Sequence, residues 1–263
     1  MIGGVTTLLV AIAAGRTAPA LADRDPLGGI ERFPEFRNLS GLAGGGYGVD
    51  VNGRPSSEGP IALSTPVAHV LGHDHLYFTG ERTSLKNKPE LSDRFTNGTL
   101  CATYGHTFGS VNVAMTDMVI NALGKQVFNI QAQLIPDRST RLAGSIGVQD
   151  FIWGGGGSAG HLVPGDTRSS RSLFGVVTYS FPGPLALHAS AGIGTRRFKQ
   201  GFASASCQVL APLRLFVEHD GFGLNAGLLA SWRVGHGRLG TEVGLRASLI
   251  QQRWISLGGT LGF

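Results

Sequence analysis

The sequence predicts an all-β chain that closes into an antiparallel transmembrane barrel, and three observations carry that prediction. Long segments alternate apolar with small or polar residues. The two longest uncharged stretches are broken by turn residues. The final segment keeps the alternation up to an aromatic residue, Phe263. Period two places successive side chains on opposite faces of a strand, so these segments are amphipathic as strands and not as helices.

Composition supports this class. Of 263 residues, 42% are hydrophobic and 15% charged, and 41 are glycine. The charged share lies below the usual level of about a quarter. Low charge with ample apolar material excludes a disordered chain, and the glycines suit crowded sheet faces. The formal net charge is +5, yet no basic run exceeds Arg196-Arg197. Dispersed charge reads as solvated or lumen-facing and implies no nucleic-acid partner. Two cysteines, Cys101 and Cys207, exclude a disulfide scaffold and a cysteine-based metal cluster. Strand parity puts Cys101 on a polar face and Cys207 on an apolar one, which argues against their pairing.

Residues 1–22 read as a cleaved secretory signal. Residues 5–14 are apolar and too short to span a bilayer. Small residues stand at Ala20 and Ala22, where a signal peptidase reads the chain. No Lys or Arg precedes the apolar core, which keeps a short buried helix open as the alternative. Residues 23–58 differ in character, with Phe33-Pro34-Glu35-Phe36 and a glycine-rich run at 44–48. A periplasmic segment, a lumen plug and a first strand are all compatible with them. Residues 59–263 are assigned to the barrel.

Within the barrel, residues 99–116 and 172–195 lack Asp, Glu, Lys and Arg. Pro182-Gly183-Pro184 would break a helix in the second stretch, and Gly109-Ser110 turns the first. On either side the pattern is that of a hairpin: Leu185, Leu187, Ala189, Ala191 and Ile193 alternate with Ala186, His188, Ser190, Gly192 and Gly194. Phe128, Ile130, Ala132 and Leu134 alternate with Asn129, Gln131 and Gln133. Phe222 to Trp232 and Leu239 to Leu249 repeat the rule. Each segment is on the order of ten residues, the length of a tilted transmembrane strand, whereas soluble strands run about half that. About twelve to fourteen strands are expected, starting near Leu39 or Ile61, with an even total for a single-chain bacterial barrel.

The small and polar face is expected to line the lumen, with Asn129, Gln131, Gln133, Asn225, Arg238, Glu242 and Arg246 as lining residues. Leu257, Leu261 and Phe263 share the apolar face of the last strand. Together they resemble the signal read by the barrel assembly machinery of outer membranes. Arg82 to Asn97 and Trp153 to Arg171 are expected to be loops.

Three further patterns bear on chemistry. Four glycines at 154–157 lack the Gly-Lys-Ser/Thr sequel of a phosphate cradle and read as loop. His69, His73 and His75 share parity, but Gly72-His73-Asp74 reads as a turn, so no metal site is assigned. His188 and Ser190 share a face and are the nearest thing to a hydrolase pair, with no third residue fixed. No cofactor and no catalytic residue are assigned.

A family resemblance adds to this reading. Gly59-Pro60-Ile61, Ser64-Thr65-Pro66-Val67-Ala68-His69-Val70 and Leu76-Tyr77-Phe78 resemble the opening strands of YjbH-like outer-membrane proteins. Ile146-Gly147-Val148-Gln149-Asp150-Phe151 resembles their central Gly-x-Gln-Asp strand. Val217-Glu218-His219-Asp220-Gly221 with Leu224-Asn225-Ala226-Gly227-Leu228 resembles a further strand pair. The resemblance spans about residues 59–263 and implies a barrel associated with exopolysaccharide secretion, acting as a passive channel or structural component without catalytic residues. Expected partners are outer-membrane lipid, the barrel assembly machinery and polysaccharide, in the outer membrane of a Gram-negative-type bacterium. An outer-membrane hydrolase acting on lipid or glycan and a secreted soluble carbohydrate-binding β-sandwich remain the alternatives.

Overall fold

The computed structural model describes residues 48–83, 98–120, 125–135, 141–152, 171–221, 223–235, 240–250, 252 and 254–263. They form twelve antiparallel strands: β1 His75–Thr83, β2 Gly98–Phe108, β3 Val111–Ile120, β4 Lys125–Ile135, β5 Leu142–Gln149, β6 Ser172–Ser180, β7 His188–Gly194, β8 Phe202–Leu210, β9 Leu213–His219, β10 Leu224–Val234, β11 Thr241–Ile250 and β12 Trp254–Gly262. Each strand pairs with its chain neighbours, and β12 returns to β1. Tyr77 lies opposite Gly262 and Thr83 opposite Ser256 across this seam. Phe263 extends the seam, exchanging backbone hydrogen bonds with Leu76 at 2.8 and 3.2 Å. The sheet therefore has no open edge, the condition for standing in lipid. A soluble sandwich would need two separate packed sheets and is set aside.

The alternation sorts the two faces. Leu100, Ile146, Ile193, Leu245 and Leu257 point outward and are exposed. Thr103, Thr116, Thr178, Ser204 and Ser256 point inward and are buried. The inward face is nevertheless less polar than parity alone indicates. Met118, Val127, Phe174, Val176 and Phe202 face inward and pack with Ala68 and Phe198. Three of the inward aromatics rest on glycines directly opposite: Phe174 on Gly147, Phe202 on Gly192 and Phe216 on Gly227. A Cβ on those glycines would lie 2.3, 2.2 and 2.6 Å from the ring Cζ. The glycines are sockets for rings, a cross-strand pairing that fixes register.

The barrel begins later than the expected starts near Leu39 or Ile61. The first wall strand opens at His75, and residues 59–72 lie inside the barrel, buried throughout. Pro60 and Pro66 cannot donate to a strand ladder, and β1 already completes the ring with β12. Residues 61–71 therefore sit in the lumen instead of the wall. Residues 1–22, expected to be a signal, and the glycines at 154–157, expected to be a loop, lie outside the described residues. Of the 23–58 segment only residues 48–58 are described.

Candidate functional site in the lumen

The site is built from the inner segment and the wall side chains that grip it. Residues 48–59 fold back on themselves: Val49 bridges Pro55, and the Asp50 carboxylate accepts from the backbone N–H groups of Asn52 and Arg54 at 2.8 and 2.9 Å. Gly59 crosses Val49 so closely that a Cβ would lie 2.2 Å from its carbonyl oxygen. Further along, Gly72 lies beside Thr107 and Asn112, and Leu71 passes over Gly105. Those contacts sit near the 109–110 turn, at the same end of the barrel as Phe263. Ser64 and Thr65 reach the opposite, far end, where β9 turns into β10. The segment thus climbs the lumen and returns. His69 Nδ1, 3.1 Å from the Val49 carbonyl oxygen, ties the two limbs together. Left-handed backbone at His73 and Asp74 (φ 55° and 62°) then turns the chain into β1.

The segment has no strand ladder of its own, so its buried backbone groups need other partners. The wall supplies them. Ile61 N–H donates to Ser206 Oγ at 3.2 Å, Ala68 N–H to Thr178 Oγ1 at 2.8 Å, and Val70 N–H to Gln133 Oε1 at 3.1 Å. Gln131 Nε2 donates to the Val67 carbonyl at 2.7 Å, and Arg197 Nη2 to the Ser64 carbonyl at 3.3 Å. His188 Nε2 lies 2.8 Å from the Glu58 carbonyl oxygen.

The tip is held most densely. The Glu218 carboxylate accepts from the backbone N–H groups of Leu63, Ser64 and Thr65 at 3.0 to 3.1 Å. The hydroxyls of Ser64 and Thr65 donate to it at 2.6 and 3.0 Å, and Asn225 Nδ2 at 2.8 Å. Asp220 Oδ2 accepts from Asn225 at 3.1 Å beside it. Successive N–H groups converging on a carboxylate form an anion nest, here closed around a side chain of the wall. Hydrogen bonds to a charged group contribute about 1.5–3 kcal/mol each. The tip is therefore the strongest single attachment of the segment.

The sequence-predicted lining residues distribute as follows. Asn129, Gln131, Gln133, Asn225, Glu242 and Arg246 all point inward and are buried. Gln131 and Gln133 hold the segment, and Asn225 joins the Glu218 cluster. Asn129 Oδ1 instead accepts from Asp150 N–H at 3.0 Å. Arg246 meets Glu81 at 2.6 Å, and Ser256 donates to the same carboxylate at 2.5 Å, fixing the wall at the seam. Arg238 lies outside the described residues. Leu257, Leu261 and Phe263 face outward, with the Phe263 ring edge-on to Phe78. Glu218, Ser64 and Thr65 carry the tip, a role that the sequence alone does not assign to them. The available signal was an acidic residue at inward parity between Phe216 and Asp220.

The candidate chemistry does not assemble as its spacing suggested. His188 Nδ1 meets Ser180 Oγ at 3.1 Å, whereas Ser190 pairs with Thr178 at 2.9 Å. His69 lies in the lumen, His73 in an exposed turn, and His75 Nδ1 lies 2.6 Å from the Phe263 carbonyl oxygen. Among the described residues no group of three or more His, Cys, Asp or Glu is arranged to hold a metal. Cys101 and Cys207 are both free. Outside the lumen, at the Phe263 end, Asp74 accepts from the Tyr104 hydroxyl and lies 2.6 Å from His106 Nδ1. Those hydrogen bonds, Tyr104's first, hold the Asp74 carboxyl below the usual carboxylate range.

No family model matches the chain, and comparison with curated proteins gives no match. Solved structures similar to the chain include LpxR from Salmonella typhimurium, at a TM-score of 0.38 and 9% sequence identity, over 72% of this chain and 99% of that one.

Proposed function

We propose that this chain is an outer-membrane barrel, closed at rest by its own residues 48–72, that serves as a structural component of exopolysaccharide secretion. The occupied lumen is the observation that carries the reading, and it favours a barrel closed at rest over a permanently open passive channel. An even set of twelve strands with an apolar exterior fits a bacterial outer membrane. The consecutive strands with the most residues between them, β1 with β2 and β5 with β6, are linked from their ends away from Phe263. Short periplasmic turns and longer external loops would then put Phe263 on the periplasmic side. The polysaccharide association rests on the resemblance to YjbH-like proteins. The hydrolase alternative draws less support, because the predicted partner Ser190 pairs with Thr178 and His188 is buried against the inner segment at Glu58.

Cell fractionation and planar-bilayer recording test the reading. The full chain is expected in the outer-membrane fraction, and the purified barrel is expected to show no steady ion conductance. A mature protein that stays soluble without detergent, or one that conducts steadily, overturns it. Unchanged exopolysaccharide in cells lacking the chain removes the polysaccharide assignment.

A further inference from the structure

We propose that the barrel is a gated channel, in which the bond between Glu218 and the Leu63–Thr65 tip is the latch. The proposal rests on the chain being an outer-membrane barrel closed by its own segment. Three observations carry it.

First, the wall is complete without the segment. All twelve strands are paired with both neighbours, including β1 with β12. None of residues 59–72 belongs to a wall strand, so withdrawing the segment breaks no wall ladder. Second, away from the tip the polar part of the wall's grip is on main-chain atoms, while Ile61 and Leu63 pack in one apolar cluster with Phe216, Leu229 and Ile250. Ser206, Thr178, Gln131, Gln133 and Glu218 bind N–H and C=O groups of the segment, and water can replace each partner on both sides once the segment leaves. The same side chains then line a hydrated passage suited to neutral polyhydroxylated solutes rather than to strong ion selection. Third, the grip is uneven. Glu218 gathers three backbone N–H groups, both tip hydroxyls and Asn225, while each of the other named wall side chains makes one bond to the segment. The tip also lies at the opposite end of the barrel from the turn at His73 and Asp74 that joins the segment to β1. Loss of one carboxylate therefore removes most of the bonds at the apex, leaving Ser64 held by Arg197 at 3.3 Å and by Asp220 at 3.4 Å.

The test is single-channel recording in potassium chloride on the full chain, with Glu218→Gln against wild type. The amide keeps the shape but loses the charge and turns a donor toward the tip. Glu218→Gln is expected to raise the frequency of openings at least tenfold. Thr103→Val, which removes a hydroxyl bonded only to Thr116 within the wall, is expected to match wild type. A second readout uses Ala68→Cys in a background with Cys101→Ser and Cys207→Ser. Its labelling by a water-soluble maleimide is expected to accelerate when Glu218→Gln is added. Should Glu218→Gln lose the heat-modifiable band of a folded barrel, the pair Ser64→Ala and Thr65→Val decides, with the same expectation. A closed channel and a protected Cys at position 68 in the deciding folded variant overturn the latch and leave the closed-barrel reading standing. Steady conductance of the wild type overturns both.

Discussion

Glu218 is an acidic side chain almost fully withdrawn from water, and an unpaired carboxylate there would carry a large desolvation cost. The tip of the inner segment resolves this by presenting N–H and O–H donors to both oxygens. Asp74 shows the opposite setting, exposed at the Phe263 end. Its carboxyl is held low by the Tyr104 hydroxyl and then by His106. A group whose folded value is depressed stabilises the fold above its unfolded value, and that contribution is lost as pH falls through the folded one. Asp74→Asn is therefore expected to flatten part of the acid limb below about pH 4, with little change at neutral pH. Thermal unfolding in detergent across that range checks it, and an acid limb identical to wild type contradicts it.

At the scale of the strand, alternation explains the exterior and glycine–aromatic pairing explains much of the interior. β5, β7 and β10 each carry an inward glycine directly under a phenylalanine of the adjacent strand. The missing side chain makes room for the ring, and the ring covers the bare backbone. Gly192→Val places a Cβ within 2.2 Å of Phe202 Cζ. The ring has to leave its position between Gly192 and Phe198, with which it packs at a centroid distance of 5.1 Å. Overpacking of this kind costs about 1–3 kcal/mol, to be read as a lower urea midpoint of the detergent-folded barrel. An unchanged midpoint would mean that the ring has free space elsewhere.

For the molecule as a whole, closure is the decisive feature, since an open edge in lipid would leave a row of unpaired backbone groups. The seam register places Phe78 opposite Leu261, both on the outer face. Opposed strand residues come within the Cα separation that a disulfide tolerates. The double variant Phe78→Cys, Leu261→Cys is expected to cross-link on mild oxidation and to resist heat unfolding in gel electrophoresis. Phe78→Cys with Gly262→Cys, one residue out of register, is expected not to. Equal cross-linking of both pairs would indicate a slipped or open seam.

The sequence by itself determined the wall. Period-two alternation from β2 to β12, turn residues such as Gly109-Ser110 and Pro182-Gly183-Pro184, and strand length were enough for a closed barrel, because each is a local property of a lipid-facing strand. Parity likewise turned Gln131, Gln133 and Asn225 inward. The contents of the lumen were decided only by tertiary structure. Residues 61–71 are as apolar and uncharged as a strand, and nothing local says that their N–H groups will find Glu218, Thr178 and Gln133 across the barrel. Those partners lie more than 60 positions away in sequence. Ring closure between β1 and β12 leaves the segment no edge to join, so it fills the space that closure creates.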